Sequence, residues 1–241
     1  MLDFHTHILP GMDDGARDAD EARLMLDRLA GQGVDKICLS PHYLYYKWPL
    51  QAFLVSYEKK LGKIVGHAEK RGITLIDSAE VYLTGDLLNI EGIEKLCVRG
   101  TNLMLSEFPG DDRIGYRIGI IEKLIINRDI KPVIAHIDRS RAIMRDGGLL
   151  DQLLDMGCLT QVNLPSLDEG FLGSGFIKKR AVLRLFEKGK VHFIGTDCHG
   201  MRFRPPEYLK YADLLDRHFG DGFFKGFNER AEGFIGPDSR T

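Results

Sequence analysis

Short apolar runs alternate with amphipathic segments along most of this chain. Lys36 to His42 (KICLSPH) and Lys131 to His136 (KPVIAH) are short, apolar and bounded by turn residues, which is typical of buried strands. From Asp18 to Ala30, apolar residues instead recur at helical spacing, and Asp18 is a suitable N-cap. We predict one strand around His5 and His7 and further strands over residues 36–42, 73–82, 101–108, 131–136, 158–163 and 191–199. Predicted helices cover residues 18–30, 50–70, 115–128, 149–156, 176–188, 206–219 and 222–234.

This regular alternation of strand and helix predicts an α/β fold built from parallel βα units. The chain has 241 residues, a length that is common for an α/β barrel. No linker rich in Pro, Gly or Ser, no internal repeat and no low-complexity tract interrupts the pattern. We therefore expect residues 1–241 to form a single domain.

The N-terminal stretch MLDFHTHILPGMDDG carries the first sign of chemistry. Because alternate side chains of a strand share one face, His5 and His7 are expected to project together while Thr6 points away. Two neighbouring imidazoles can bind one metal ion, and the turn at Asp13 and Asp14 adds carboxylate oxygens. A buried strand with two hydrogen-bonded histidines would explain the same stretch, so the rest of the chain must decide.

Further imidazole and carboxylate side chains lie at or near the C-terminal ends of predicted strands. They are His42, Glu80, Glu107, His136, Asp197 and His199. In a parallel barrel these ends meet at one rim, where active sites lie, so we expect the whole set to join His5 and His7. The set exceeds what one ion needs, and imidazole with carboxylate suits Mn, Fe or Zn. We therefore predict several metal ions, with a carboxylate such as Glu80 bridging two of them.

Composition excludes some functions. The formal net charge is −2, with 33 Lys and Arg against 35 Asp and Glu, and no long basic run supports nucleic-acid binding. Scattered cysteines without a CxxC pair favour a reducing compartment, so we expect a cytoplasmic protein. No apolar run is long enough to span a bilayer. Cys198 lies between Asp197 and His199 and is expected to face away from both.

The order HxH, H, E, E, H and DxH resembles that of the polymerase-and-histidinol-phosphatase (PHP) superfamily. The longer segments HTHILPGMDDGA, SAEVY, PVIAHIDR, MGCLTQVN and TDCHGMRFRPP resemble the bacterial capsule-biosynthesis protein-tyrosine phosphatases within it. These segments extend from residue 1 to about residue 206, so the resemblance covers most of the chain. HxH alone would be a weak signal, whereas the combination is specific.

The resemblance implies a distorted (β/α)7 TIM-like barrel, the PHP fold, with a trinuclear site that usually contains manganese. The first metal would be bound by His5, His7, Glu80 and Asp197, the second by Glu80, Glu107 and His136, and the third by Asp14, His42 and His199. Asp13 is adjacent to Asp14 and could replace it as a ligand.

The resemblance also implies hydrolysis of phosphotyrosine by a metal-bridged hydroxide rather than by a cysteine. Arg139 and Arg204 match the family's phosphate-binding arginines, and a guanidinium suits phosphate because it donates two charge-assisted hydrogen bonds. Protonated His42 or His199 could assist the leaving phenolate. The expected partner is a phosphotyrosine-containing protein, a bacterial tyrosine autokinase that controls capsular or exopolysaccharide export. The oligomeric state is open.

Three other functions compete with this interpretation. One is a small-molecule phosphomonoesterase of the same superfamily, acting for example on histidinol phosphate. A second is a nuclease-like phosphodiesterase, which the lack of a basic groove disfavours. A third is a metal-bound module that holds phosphotyrosine without turnover, which the complete ligand set disfavours.

The loop after the second predicted strand, YLYYKWP, is aromatic. Because Tyr43, Tyr45, Tyr46 and Trp48 follow His42, we expect this loop at the rim of the site, as a wall for the phosphotyrosine ring. Packing of the rings against the next helix is the alternative. The sixth strand leads into NLPSLDEG, which contains no histidine, so any additional ligand that the resemblance implies there is missing.

Overall fold

Strands and helices alternate along the chain in the structure, a computed structural model that describes residues 1–110, 113–145, 147–168 and 174–236. The strands are β1 (Leu2–Thr6), β2 (Lys36–Leu39), β3 (His42–Tyr43), β4 (Thr74–Asp77), β5 (Glu80–Tyr82), β6 (Leu103–Glu107), β7 (Lys131–Ile134), β8 (Leu159–Asn163) and β9 (Phe193–Gly195). The α-helices are α1 (Ala19–Ala30), α2 (Leu50–Leu61), α3 (Val65–Lys70), α4 (Ile114–Arg128), α5 (Arg141–Arg145), α6 (Gly147–Asp155), α7 (Ser174–Glu187), α8 (Leu209–Phe219) and α9 (Phe223–Ile235). None of these helices is long and apolar enough to cross a membrane. The predicted alternation of strand and helix is confirmed.

Two predicted strands and one predicted helix are each divided in the structure. Residues 36–42 form β2 and β3, because Pro41 lacks the N–H that a continuous strand would donate. Residues 73–82 likewise form β4 and β5. Residues 50–70 form α2 and α3, and α2 ends at Gly62, since glycine is a poor helix former.

All strand pairs are parallel, in two sheets. β1, β2 and β4 form one sheet in that order, and β3, β5, β6, β7, β8 and β9 form the other. At the far edge, the N–H of Asp197 donates to the carbonyl of His5 at 2.8 Å, and the N–H of His7 donates to the carbonyl of Cys198 at 3.1 Å. The chain is therefore an α/β fold with a curled parallel sheet, in which the segment after β9 meets β1.

Apolar side chains pack on both faces of the strands. On β6, Met104 belongs to a large cluster that also takes side chains from the helices, such as Leu26 and Leu124. Its neighbours Leu103 and Leu105 face the opposite side. They belong to a smaller cluster with Leu2, Phe4, Cys38, Ile76, Val98, Val133, Ala135, Leu159, Phe193, Ala231 and Ile235. This second cluster joins side chains of β1, β2, β4, β6, β7, β8 and β9 with two from α9.

An irregularity in the pairing of β1 with β2 accompanies the orientation of His5 toward β9. The register between β1 and β2 shifts between Asp3 and Thr6. As a result Phe4 and His5, although consecutive, both contact β9: the ring of Phe4 stacks on Phe193 with centroids 3.8 Å apart, and His5 lies against Gly195. Bulges of this kind re-aim side chains and are common beside functional sites.

Gly195→Ala is expected to destabilise the protein, because an added methyl group has no space at this crossing. Its Cβ would lie 2.5 Å from the Cβ and 2.7 Å from the backbone N of His5. Overpacking of a core costs about 1–3 kcal/mol. At about 2–4 °C per kcal/mol for a chain of this size, the midpoint of thermal unfolding should fall by about 2–12 °C.

Gly119→Ala is the matched control for this substitution. A Cβ at Gly119, in α4, would meet nothing within 4 Å, and alanine favours a helix more than glycine does. The control should therefore be at least as stable as the wild type. A Gly195→Ala variant that unfolds at the wild-type temperature would contradict the close approach of β9 to His5.

Candidate metal centre

The structure brings the predicted donor side chains together, although His42 and Glu80 begin β3 and β5 instead of ending a strand. In the described part of the chain, three overlapping groups each place one ligand atom of every member within 4.8 Å of the others. The groups are His7, Asp14, His42 and His199; His5, His7 and Glu80; and His42, Glu80 and Glu107. His136 and Asp197 adjoin them through the contacts described next.

The first set surrounds the inner end of the site. The Nε2 atoms of His5 and His7 lie 3.1 Å apart, and they lie 3.2 Å and 3.4 Å from Oε2 of Glu80. Oδ1 of Asp197 lies 3.6 Å from Nε2 of His5 and 3.3 Å from Nε2 of His7. All four side chains are buried, and their nitrogen and oxygen atoms converge within a few ångströms of one another.

The second set shares Glu80 with the first. Nε2 of His136 lies 2.9 Å from Oε1 of Glu80 and 3.4 Å from Oε1 of Glu107. Nδ1 of His42 lies 3.0 Å from Oε2 of Glu80 and 3.8 Å from Oε2 of Glu107. Glu80 therefore directs its two oxygens toward different sets of donors, which is the geometry that a bridging carboxylate needs.

The third set lies at the mouth of the site. Oδ1 of Asp14 is 3.6 Å from Nε2 of His42 and 3.5 Å from Nε2 of His199. The side chain of Asp14 is 65% exposed, whereas that of His199 is 2% exposed. This set thus connects the buried donors with solvent.

Asp13 and Asp14, the two alternatives that the sequence left open, make different contacts in the structure. Oδ2 of Asp13 lies 2.7 Å from Nδ1 of His7 and accepts from the N–H of His42 at 2.9 Å. Its Oδ1 accepts from the N–H of Gly15 at 2.9 Å. Asp13 therefore supports His7 from behind, while Asp14 faces the other donors.

Burial disfavours the charged forms of Glu80 and His136, but neighbouring side chains of opposite charge favour these forms more strongly. Burial would raise the pKa of Glu80, yet the neighbouring His5 and the hydrogen bond with His136 hold this pKa well below its ordinary range. Burial would lower the pKa of His136, but Glu107 and Glu80 raise it to about 10. The carboxylate of Glu80 therefore stays ionised and attracts positive charge to the centre of the site.

Unpartnered buried atoms indicate what the site can bind. Within the described residues, Nδ1 of His42, Oε2 of Glu107 and Nε2 of His199 are buried and form no hydrogen bond of suitable angle, although Nδ1 of His42 lies 3.0 Å from Oε2 of Glu80. An unsatisfied buried polar group costs about 1–3 kcal/mol, and a bound cation would remove this cost. The five imidazoles and four carboxylates of the three sets suit Mn, Fe or Zn, so the residues present fit a multinuclear metal site.

Three residues of the site have a left-handed backbone, which non-glycine residues rarely adopt. The φ angle is 31° at His136, 50° at Asp197 and 50° at Arg204. Such a conformation costs about 1–3 kcal/mol per residue and persists only where surrounding contacts impose it. Strain of this kind is concentrated at functional sites, in agreement with the position of these residues.

Both predicted phosphate-binding arginines contact the same carboxylate. Nη2 of Arg139 donates to Oδ2 of Asp197 at 2.5 Å, and Nη1 of Arg204 donates to the same oxygen at 3.0 Å. Nε of Arg204 is buried and has no hydrogen-bond partner among the described residues. Nη2 of Arg204 lies 3.7 Å from Oδ2 of Asp14, so this guanidinium faces the mouth of the site.

The cysteines are unsuited to nucleophilic chemistry. Cys38, Cys97, Cys158 and Cys198 are all free and buried. Burial raises the pKa of Cys198 to about 12, and the charge of Asp3 adds to this effect. A thiol with so high a pKa is almost entirely protonated near neutral pH and is not a reactive nucleophile.

The aromatic loop is divided between packing and exposure. Tyr43 is buried, with its ring 5.0 Å from that of Phe53, and Trp48 packs partly buried against the large apolar cluster. The side chain of Tyr46 is exposed. Tyr43 and Trp48 therefore pack against the protein, as the alternative interpretation predicted. Tyr46 instead exposes its ring to solvent, where a ligand could contact it.

Sequence reasoning missed Tyr82, which lies beside the site. Its ring meets that of His42 edge-on, with centroids 6.3 Å apart. Tyr82 follows Glu80 by two residues on β5, so the alternation of side chains along a strand was the signal that could have found it.

Comparison with known proteins agrees with this geometry. A family model for capsular polysaccharide synthesis proteins of the CpsB/CapC type matches residues 1–229. The chain is 30% identical over 241 residues to the tyrosine-protein phosphatase YwqE of Bacillus subtilis, covering 96% of this chain and 90% of YwqE. It is 29% identical over 240 residues to the putative tyrosine-protein phosphatase CapC of Staphylococcus aureus, covering 98% of this chain and 88% of CapC.

A solved structure is similar over almost the whole chain. It comes from the crystal structures of YwqE from Bacillus subtilis and CpsB from Streptococcus pneumoniae, which are described as unique metal-dependent tyrosine phosphatases. The TM-score is 0.81 at 27% sequence identity, covering 98% of this chain and 94% of that chain. Since the family model spans residues 1–229, this chain belongs to the CpsB/CapC family of capsular polysaccharide synthesis proteins.

Proposed function

We propose that this chain is a metal-dependent protein-tyrosine phosphatase, a phosphoric monoester hydrolase. The observation that carries the proposal is the convergence of three overlapping donor groups beside two arginines. Metal ions held about 3.5–4 Å apart support in-line attack at phosphorus. The names of the similar proteins YwqE and CpsB, which are metal-dependent tyrosine phosphatases, support the same activity.

We also propose that residues 1–241 form a single domain whose fold is a distorted (β/α)7 barrel. If β2 with β3, and β4 with β5, are each counted as one interrupted strand, the described residues contain the seven strands of such a barrel. The hydrogen bonds between residues 197–198 and β1 support closure of the barrel between its first and last strands.

The metal is proposed to be manganese at a trinuclear site. The first ion would be held by His5, His7, Glu80 and Asp197, the second by Glu80, Glu107 and His136, and the third by Asp14, His42 and His199. When bound, the ions supply positive charge beside the phosphoryl group and acidify the attacking water. The contacts of Asp13 with His7 and His42 favour a supporting role for Asp13 and the ligand role for Asp14.

The side chains around the metals would bind the phosphate and the departing phenol. Arg139 and Arg204 are proposed to donate to the phosphoryl oxygens, where charge-assisted hydrogen bonds stabilise the developing charge. The phenolate of tyrosine leaves readily, since its pKa is about 10. Of the two histidines considered for assisting it, His42 is 23% exposed and His199 is 2% exposed, so His42 is the one that a substrate can reach.

We propose that the substrate is a phosphotyrosine-containing protein, a bacterial tyrosine autokinase of polysaccharide export, in the cytoplasm. Four free cysteines support a reducing compartment. The ring of Phe203 is exposed and lies 5.4 Å from the guanidinium carbon of Arg204, and the ring of Tyr46, four residues after His42, is also exposed. These two rings support an aromatic protein substrate more than a small polar one.

Purified protein loaded with Mn²⁺ is expected to hydrolyse a phosphotyrosine peptide faster than histidinol phosphate or a phosphodiester. Release of phosphate measures all three reactions. A chelator should abolish activity, and Mn²⁺ should restore it. Alkylation by iodoacetamide should have little effect, because the cysteines are buried. Faster turnover of histidinol phosphate would identify a small-molecule phosphatase, and binding of the peptide without turnover would identify a non-catalytic module.

Glu80→Gln should remove more bound metal than Glu107→Gln. Glu80 belongs to two of the three donor groups, whereas Glu107 belongs to one. If Glu80 bridges, its loss affects two ions, and elemental analysis after saturation with Mn²⁺ and gel filtration should show a larger deficit than for the matched glutamate. Equal metal content in Glu80→Gln and wild type would refute the bridge.

Tyr46→Ala should reduce kcat/KM for a phosphotyrosine peptide more than for a small alkyl phosphate. Tyr46 is 62% exposed, and an aromatic pair adds about 0.5–1.5 kcal/mol beyond area burial, which is up to about tenfold in rate constant. Trp48→Ala is the control from the same loop: it should lower the unfolding temperature instead, because Trp48 packs against the apolar cluster. Equal losses on both substrates in Tyr46→Ala would exclude a role in ring recognition.

A further inference from the structure

Two buried amide side chains of β8 lie directly behind the donor groups. Gln161 is 0% exposed and Asn163 is 2% exposed, and they share one face of the strand because they are two residues apart. A buried amide is costly unless its N–H and C=O groups are paired. The partners of these two side chains therefore indicate why a core strand carries them.

The orientation of Gln161 is determined by backbone groups. Its Oε1 accepts from the N–H of His136 at 2.7 Å, and its Nε2 donates to the carbonyl of Val162 at 2.9 Å. A backbone N–H can only donate and a carbonyl can only accept, so the oxygen and nitrogen of this amide cannot be exchanged. Nδ1 of His5 lies 3.3 Å from the same Oε1.

The contact with Gln161 determines which ring nitrogen of His5 carries the proton. Because Oε1 of Gln161 is an acceptor, Nδ1 of His5 must carry the proton of the hydrogen bond. In the neutral ring, Nε2 of His5 is then free of a proton, and it is Nε2 that lies 3.2 Å from Glu80 on the metal side. Partners of this kind orient a metal-binding imidazole and set which nitrogen is available.

Asn163 continues the same chain of hydrogen bonds to Asp197. Its Oδ1 accepts from Nε2 of Gln161 at 2.9 Å, and its Nδ2 donates to Oδ2 of Asp197 at 2.8 Å. The backbone N–H of Asn163 donates to the buried Asp138 at 3.0 Å, which holds the end of β8 in place. With Oδ2 occupied, Asp197 presents Oδ1 to His5 and His7.

We propose that Gln161 and Asn163 are positioning residues of the metal site, forming an amide relay from Nδ1–H of His5 to Oδ2 of Asp197. Every hydrogen bond in the relay points the same way, so it holds His5 of β1 and Asp197, in the segment after β9, in the orientation that one ion requires. This proposal deepens the proposed function, because it rests on binding of divalent cations at this site. It also gives β8 a role there, although that strand contributes no donor to the three groups.

Substitutions that remove the relay should weaken metal binding. Gln161→Leu and Asn163→Leu should each lower the affinity for Mn²⁺ by about 10–100-fold, the usual effect of losing a group that supports a metal ligand. Affinity is measured by competition with a chromophoric chelator, and phosphate release gives kcat and KM. The loss should appear in metal affinity and in kcat more than in KM.

A double-mutant cycle separates the relay from a general packing effect. Since both amides act through one chain of hydrogen bonds, the double variant should lose little more affinity than the worse single variant. Gln161→Glu keeps an acceptor for His5, but in its ionised form it cannot donate to Asn163. This variant therefore tests the hydrogen bond between the two amides, and it replaces Gln161→Leu if that variant does not fold. Asn163→Ser serves in the same way if Asn163→Leu does not fold.

Thr160→Val is the matched control on the same strand. Thr160 is 0% exposed, and its Oγ1 donates to the carbonyl of Lys190, away from the donors. It should lower thermal stability while leaving affinity for Mn²⁺ unchanged. Wild-type affinity in the relay variants, or an equal loss in Thr160→Val, would overturn the relay alone. A wild-type protein that binds no Mn²⁺ would overturn the proposed function and the relay with it.

Discussion

The contacts of the Glu80 carboxylate are the interaction on which the rest of the site depends. This side chain is 1% exposed, and a nitrogen of each of four imidazoles, those of His5, His7, His42 and His136, lies between 2.9 Å and 3.4 Å from one of its oxygens. A buried carboxylate without positive partners is strongly destabilising, so protons or metal ions must accompany it. Since the four histidines come from three different segments, the charge of Glu80 can be compensated only when the strand ends converge.

That convergence depends on a close approach of the first and last strands. The register between β1 and β2 shifts on either side of His5, and Gly195 lets β9 pass within contact distance of that residue. A second glycine has a comparable role on the other side of the site, because a Cβ at Gly15 would lie 2.1 Å from the carbonyl oxygen of His7. The apolar cluster beneath the donors stabilises the curled sheet, so hydrophobic burial contributes the free energy that holds the polar groups together.

Asp197 connects the imidazoles of the site with the two arginines. One of its oxygens faces imidazoles, and the other accepts from Arg139, Arg204 and Asn163. Burial would raise the pKa of Asp197, but His5, His7 and Arg139 hold it well below its ordinary range, so the group stays ionised. The arginines are thereby oriented at the mouth of the site, where a phosphate would find two cationic donors already in place.

The sequence by itself determined the alternation of strand and helix, and it predicted which imidazole and carboxylate side chains meet where the strands converge. These features depend on the period of two along a strand and on the common direction of parallel strands, which are local properties. The structure was needed to separate Asp13 from Asp14, to place Trp48 in the packing and Tyr46 in solvent, and to show that both arginines meet Asp197. It was also needed to give Gln161 and Asn163 a role. Each of these depends on which distant segments become neighbours when the sheet curls, and no pattern within a single segment contains that information.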